Sequence, residues 1–237
     1  MNSTTLVLKR QENTMVSGSY AAALVEWRET IGQIYKEIRA THGADPRRAW
    51  ERFREQRDSL YKHHRCSALT EAEKLQFGGF PNYPYDPVLC FTGEVEYAAS
   101  EIACTARISE AELPYRKIGR AKFDYLGKAQ ALDVYWFDIY GGGIWIPVGD
   151  ETNGETTYSG GRYLFDTCKG ANLGMTKDGC KILLDMNFLY PPSCSLNAQW
   201  ICPLCPPENK LPFRIEAGEV NMMADARPSL FLEAGGA

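Results

Sequence analysis

The sequence predicts an α+β fold, mainly β, in which an N-terminal helical layer covers an antiparallel β-barrel or β-sandwich. Three observations predict it. Apolar residues recur at helical spacing as far as about residue 64. A connector rich in Gly and Pro follows, and beyond it the dominant period is two. Helices first and strands after, without alternation, point to an antiparallel sheet rather than to βαβ units.

Residues 1–18 are polar and aperiodic and read as a tail. Tyr20, Leu24, Trp27, Ile31, Ile34 and Ile38 are then spaced 4, 3, 4, 3, 4, a heptad seam on a first helix. Thr41-His42-Gly43-Ala44 ends it. Asp45 is placed to cap a second helix with Pro46 at its first position. That helix runs to about His64 and turns Trp50, Phe53, Leu60 and Tyr61 inward. Thr70 and Glu73 have capping-box spacing and start a third, short helix.

Gly78 to Pro87 is the connector, and its prolines bar a central strand. Leu89, Phe91, Val95 and Tyr97 then share one strand face. Ala121, Phe123 and Tyr125 alternate with Arg120, Lys122 and Asp124, and Gly127-Lys128 reads as a hairpin turn. Residues 131–140 are aromatic on both faces and predict a strand buried on both sides. Further strands are expected at 144–148, 162–166, 181–188 and 213–216. The boundaries are therefore 1–18 tail, 19–78 helical layer, 79–220 antiparallel β core and 221–237 tail.

Composition narrows the function. The 237 residues are 44% hydrophobic and 24% charged, with a net charge of −4 and a pI near 5.5. No basic nucleic-acid footprint is present. No apolar run reaches the roughly 18 residues of a membrane helix, and residues 1–18 do not read as an export signal. The eight cysteines are therefore expected as free thiols in the cytoplasm. Gly141-Gly142-Gly143 lies between two strands and lacks a phosphate-loop or dinucleotide pattern. Nucleophile-elbow, zinc-protease and kinase motifs are missing.

One polar constellation spans 150–209. Asp185 and Asn187 lie two apart in an apolar run, so they are expected on one strand face. If the strand opened by Arg162 pairs with theirs, the guanidinium reaches the Asp185 carboxylate and keeps an edge for an anionic ligand. Asp185, Glu155 and Tyr158 are the acid/base candidates; Arg162, Asn187, Tyr190 and Asn153 are the ligand-binding candidates. A structural ion pair and turn account for the same residues. Cys194, Cys202 and Cys205, spaced Cx7CxxC, offer three zinc ligands, but no second CxxC accompanies them. No cofactor is expected otherwise.

Several runs resemble one family. They are Phe80 to Pro87, Thr152 to Tyr158, Gly161 to Leu164, Leu184 to Asn187, Tyr190-Pro191-Pro192 with Cys194, Cys202 to Leu204, Pro206 to Asn209, and Ile215 to Glu219. The family is the domain of unknown function 1684, and the resemblance spans about residues 20–220. It implies a mostly β fold with a helical N-terminus and no assigned reaction. The chain departs from the pattern at Leu189, Ser193 and Cys205, where a proline is expected.

The leading expectation is a soluble protein that holds a small polar or anionic metabolite in a cavity of the β core. A cofactor-independent lyase, isomerase or hydrolase would suit those groups. The rival is a noncatalytic interaction protein, a homodimer joined through the heptad helix. A third reading is a zinc-stabilised C-terminal loop.

Overall fold

A computed structural model describes residues 18–108 and 111–222. The stretches expected as tails lie, apart from residues 18, 221 and 222, outside the described residues.

Three helices come first. Helix α1 spans Gly18–Thr41 and buries Ala23, Ile34, Tyr35 and Ile38. Helix α2 spans Pro46–His63; the Asp45 side chain accepts from the Arg48 amide, and Trp50, Phe53, Arg57, Leu60 and Tyr61 turn inward. Helix α3 spans Glu71–Gln76, with both hydrogen bonds of the Thr70–Glu73 capping box made. The heptad seam of α1 is used inside its own chain: Ile34 and Ile38 join the main core, and Trp27 meets Tyr61 edge to face.

Six strands follow: β1 Cys90–Ile108, β2 Ala111–Tyr125, β3 Lys128–Phe137, β4 Ile144–Val148, β5 Arg162–Asp166 and β6 Lys181–Asp185. They form one antiparallel sheet in the order β5-β4-β3-β2-β1-β6. The sheet curls into a half-barrel, and its two edges meet at one point. Tyr163 of β5 and Tyr190, beyond β6, exchange backbone hydrogen bonds of 2.8 and 3.3 Å. The β2–β3 turn is Leu126-Gly127, both at positive φ, as a two-residue turn with the strand twist requires. Strand β3 is buried on both faces from Leu132 to Tyr135, but it ends at Phe137 rather than at 140, and Ile139 and Tyr140 are exposed. Leu132 and Val134 enter the core shared with α1 and α2, and Tyr135 and Phe137 pack with Trp145 and Tyr163.

The structure corrects several of the expected strands. β1 and β2 run further than the alternation suggested, because beyond Tyr97 they pair with each other over a largely exposed surface. The strand from Lys181 stops at Asp185, whose side chain caps a 3-10 turn at Met186–Phe188. Residues 213–216 form no strand, although Phe213 stacks on Tyr125. No described helix is long and apolar enough to cross a membrane.

Candidate functional site

A cavity of about 120 Å³ lies between the helical layer and the closing edge of the sheet. Helix α1 supplies Trp27, Ile31 and Tyr35, and α2 supplies Phe53, Arg57 and Tyr61. The sheet side supplies Tyr163, Asp166, Lys169 and Tyr190, with Ser193 and Trp200 from the loop after β6. Apolar and aromatic walls with a few convergent polar groups are the composition of a small-molecule site.

Arg57 is the cation at its base. The Nε and Nη2 atoms both bind the Glu219 carboxylate, while Nη1 has no hydrogen-bond partner among the described residues. Its guanidinium lies 4.5 Å from the Tyr61 ring centroid and 4.7 Å from that of Tyr190, so its plane is fixed. Burial works against the Arg57 charge, but Glu219 together with Tyr61 and Tyr35 outweighs it, and Arg57 stays protonated. Burial raises the Glu219 carboxyl while Arg57 opposes it; the two-point fork marks the pair as ionic.

Asp166 ends β5 and is buried. Its Oδ2 lies 3.6 Å from Lys169 Nζ, and its Oδ1 accepts no hydrogen bond. Burial disfavours the Lys169 ammonium, and Asp166, with Cys202 and Tyr61, more than restores it. The Lys169 side chain is 48% exposed, so the charge sits at the cavity rim. Burial raises the phenols of Tyr35, Tyr163 and Tyr190, which therefore remain hydrogen-bond donors at neutral pH. Tyr163 spends its hydroxyl on the Pro203 carbonyl. The hydroxyls of Tyr35, Tyr61 and Tyr190 make no hydrogen bond among the described residues. The cavity thus gathers hydrogen-bond donors that have no partner among the described residues, beside the Arg57 and Lys169 cations and the Asp166 carboxylate.

Of the residues singled out from sequence, Tyr190 lines this cavity. Arg162 does not reach Asp185. The two lie on β5 and β6, at opposite edges of the sheet order, and the neighbour of β5 is β4. Arg162 Nη2 instead binds Asp150 at 2.9 Å and the Ile215 carbonyl, while Nη1 binds the carbonyls of Ala217 and Glu219. The side chains of Arg162 and Asp150 are completely buried. This fork is committed to tying the 215–219 segment to the sheet, and no edge of it faces a ligand.

Asp185 and Asn187 do not share a strand face. Asp185 Oδ1 accepts from the Asn187 amide at 3.0 Å and from its side chain at 2.8 Å. Asn187 also bonds both backbone groups of Asp86 at 2.8 Å, tying the connector down. Asp185 Oδ2 meets His42 Nε2 at 2.8 Å. Asn153 locks a turn through the Asp150 amide and the Thr157 hydroxyl. Glu155 is exposed and pairs with Arg214. Tyr158 lies 3.8 Å from Cys194 Sγ, and burial together with Cys194 raises its phenol.

The Cys194, Cys202 and Cys205 thiols do not converge on one point. Cys194 and Cys202 interact with each other, which lowers the Cys202 thiol and raises that of Cys194. Cys205 packs elsewhere, against Gly149 and Gly161.

Sequence reasoning missed Arg57, Asp166, Lys169, Tyr35 and His42. Arg57 had a signal: it stands at helical spacing from Trp50, Phe53 and Tyr61 on an otherwise apolar face of α2. A cation at such a position needs a buried partner.

Residues 75–220 match the model of a family described as "Protein of unknown function (DUF1684)". No curated protein matches the chain. Among solved structures, the chain is similar to an uncharacterized protein of Haloarcula marismortui determined by solution NMR. The TM-score is 0.53 at 24% identity, over 72% of this chain and 91% of that one. That likeness shows the fold. The family match begins at residue 75, so α1 and α2, which form one wall of the cavity, precede it.

Proposed function

We propose that this chain, which belongs to the DUF1684 family, binds a small polar metabolite with an anionic group in the cavity between its helices and its sheet. The observation that carries the reading is the set of unspent donors there. Arg57 Nη1 and the hydroxyls of Tyr35, Tyr61 and Tyr190 have no partner among the described residues, and Lys169 stands at the rim. These donors are open to the cavity, so an anionic ligand that accepts from several of them at once gains charge-assisted hydrogen bonds to a fixed set of groups. The aromatic walls favour a ligand with a planar or apolar body.

Two substitutions test this without touching the Arg57–Glu219 pair. Tyr190→Phe deletes a hydroxyl and keeps the ring; Lys169→Met deletes a charge at the half-exposed rim. A thermal-shift screen with small carboxylates and organic phosphates is expected to give stabilising compounds. Each substitution should weaken the hits by about tenfold, as the loss of one charge-assisted or buried hydrogen bond predicts. Hits of undiminished affinity in both variants would place the ligand elsewhere and refute the proposal.

A further inference from the structure

His42, Cys90 and Asp185 come from three separate parts of the fold. His42 follows the last residue of α1, Cys90 opens β1, and Asp185 ends β6. Cys90 and Asp185 face each other in the β1–β6 register. One ligand atom from each lies within 4.8 Å of the other two, and this is the one such grouping of His, Cys and acidic side chains among the described residues.

The orientation separates two readings. A nucleophilic relay needs the two imidazole nitrogens on different partners. Here the same atom, His42 Nε2, faces both Asp185 Oδ2 at 2.8 Å and Cys90 Sγ at 3.9 Å. It cannot serve two acceptors with one proton. Three donor atoms converging on one point is instead what a metal ion requires. We infer that His42, Cys90 and Asp185 form a binding site for a divalent ion of the zinc type.

The donor set is one thiolate, one imidazole and one carboxylate, which suits zinc or cobalt and not magnesium or calcium. Tetrahedral zinc bonds of ordinary length set its ligand atoms about 3.3–3.7 Å apart. The observed 2.8 and 3.9 Å lie on either side of that range, so the His42–Asp185 contact opens by about 0.5 Å on binding. Asp185 keeps its second oxygen on Asn187, which orients the carboxylate as outer-shell partners of metal ligands do. Phe188 packs beside the imidazole. Three protein ligands leave a fourth position open. Binding displaces the Cys90 proton to solvent, so affinity rises with pH.

The site shares no residue with the cavity, so its failure leaves the metabolite proposal standing. Cobalt(II) alone is the probe, added to the full chain carrying Cys194→Ser and Cys202→Ser to remove the other thiol pair. The expected result is one cobalt per chain with a thiolate-to-cobalt charge-transfer band. Cys90→Ser should abolish the band and weaken binding at least about tenfold, and His42→Gln should weaken it similarly. Circular dichroism of each variant checks that it is folded. No stoichiometric uptake, or a band and affinity that survive Cys90→Ser, would overturn the inference.

Discussion

Arg162 shows how one residue can be conspicuous in a sequence and still be structural. Its side chain is wholly buried, and its two terminal nitrogens hold Asp150 and three carbonyls of the 215–219 segment. Arg162→Met would leave Asp150 charged and unpaired. It should cost about 3–5 kcal/mol, read as a lower urea midpoint. A variant of wild-type stability would contradict this account of the pair. A strand-opening arginine and a nearby acid were legible, but the identity of the acid was not. It depends on which strands are neighbours, and residue pattern does not encode that. Arg57 is the converse case. Its polar residue on an apolar helix face was legible in principle, whereas its partner Glu219 lies 162 positions away.

Local chemistry marked the elements well where burial or capping enforced it. Helices α2 and α3 begin where Asp45 and Thr70 place their caps, and β4 and β5 match their apolar runs. The outer halves of β1 and β2 escaped notice because they are largely exposed, and exposed pairs do not need alternating apolar residues. Their pairing also slips, with register shifts between Tyr97 and Ile102 on β1 and between Lys117 and Gly119 on β2. Gly119 makes that irregularity possible. A Cβ there would lie 2.6 Å from the Glu96 carbonyl oxygen, a backbone atom that has no rotamer to yield. Gly119→Ala should therefore destabilise by about 1–3 kcal/mol, measured by chemical denaturation. An unchanged midpoint would mean that the strands slide freely at this point.

For the molecule as a whole, the order of helices before strands gave the α+β class and the helical cover. The strand order was beyond reach, since β6 joins β1 rather than β5. The cavity exists because the sheet curls until Tyr163 and Tyr190 bridge its edges, and because α1 and α2 lie across that closure. Its polar groups come from several segments that share no local motif, so the candidates singled out along 150–209 included only Tyr190 of them. Clustering in sequence located the residues that lock the fold; clustering in space locates the residues that remain unspent.

The central claim is that this cavity holds a small organic anion, and native mass spectrometry tests it most directly. The full chain would be treated with chelator, incubated with the stabilising carboxylates or phosphates, and weighed under native and denaturing conditions. The account predicts one organic adduct per chain in the native spectrum, lost on denaturation and lost in a Lys169→Met/Tyr190→Phe double variant. A bare chain after incubation, or an adduct that persists undiminished in the double variant, would contradict it.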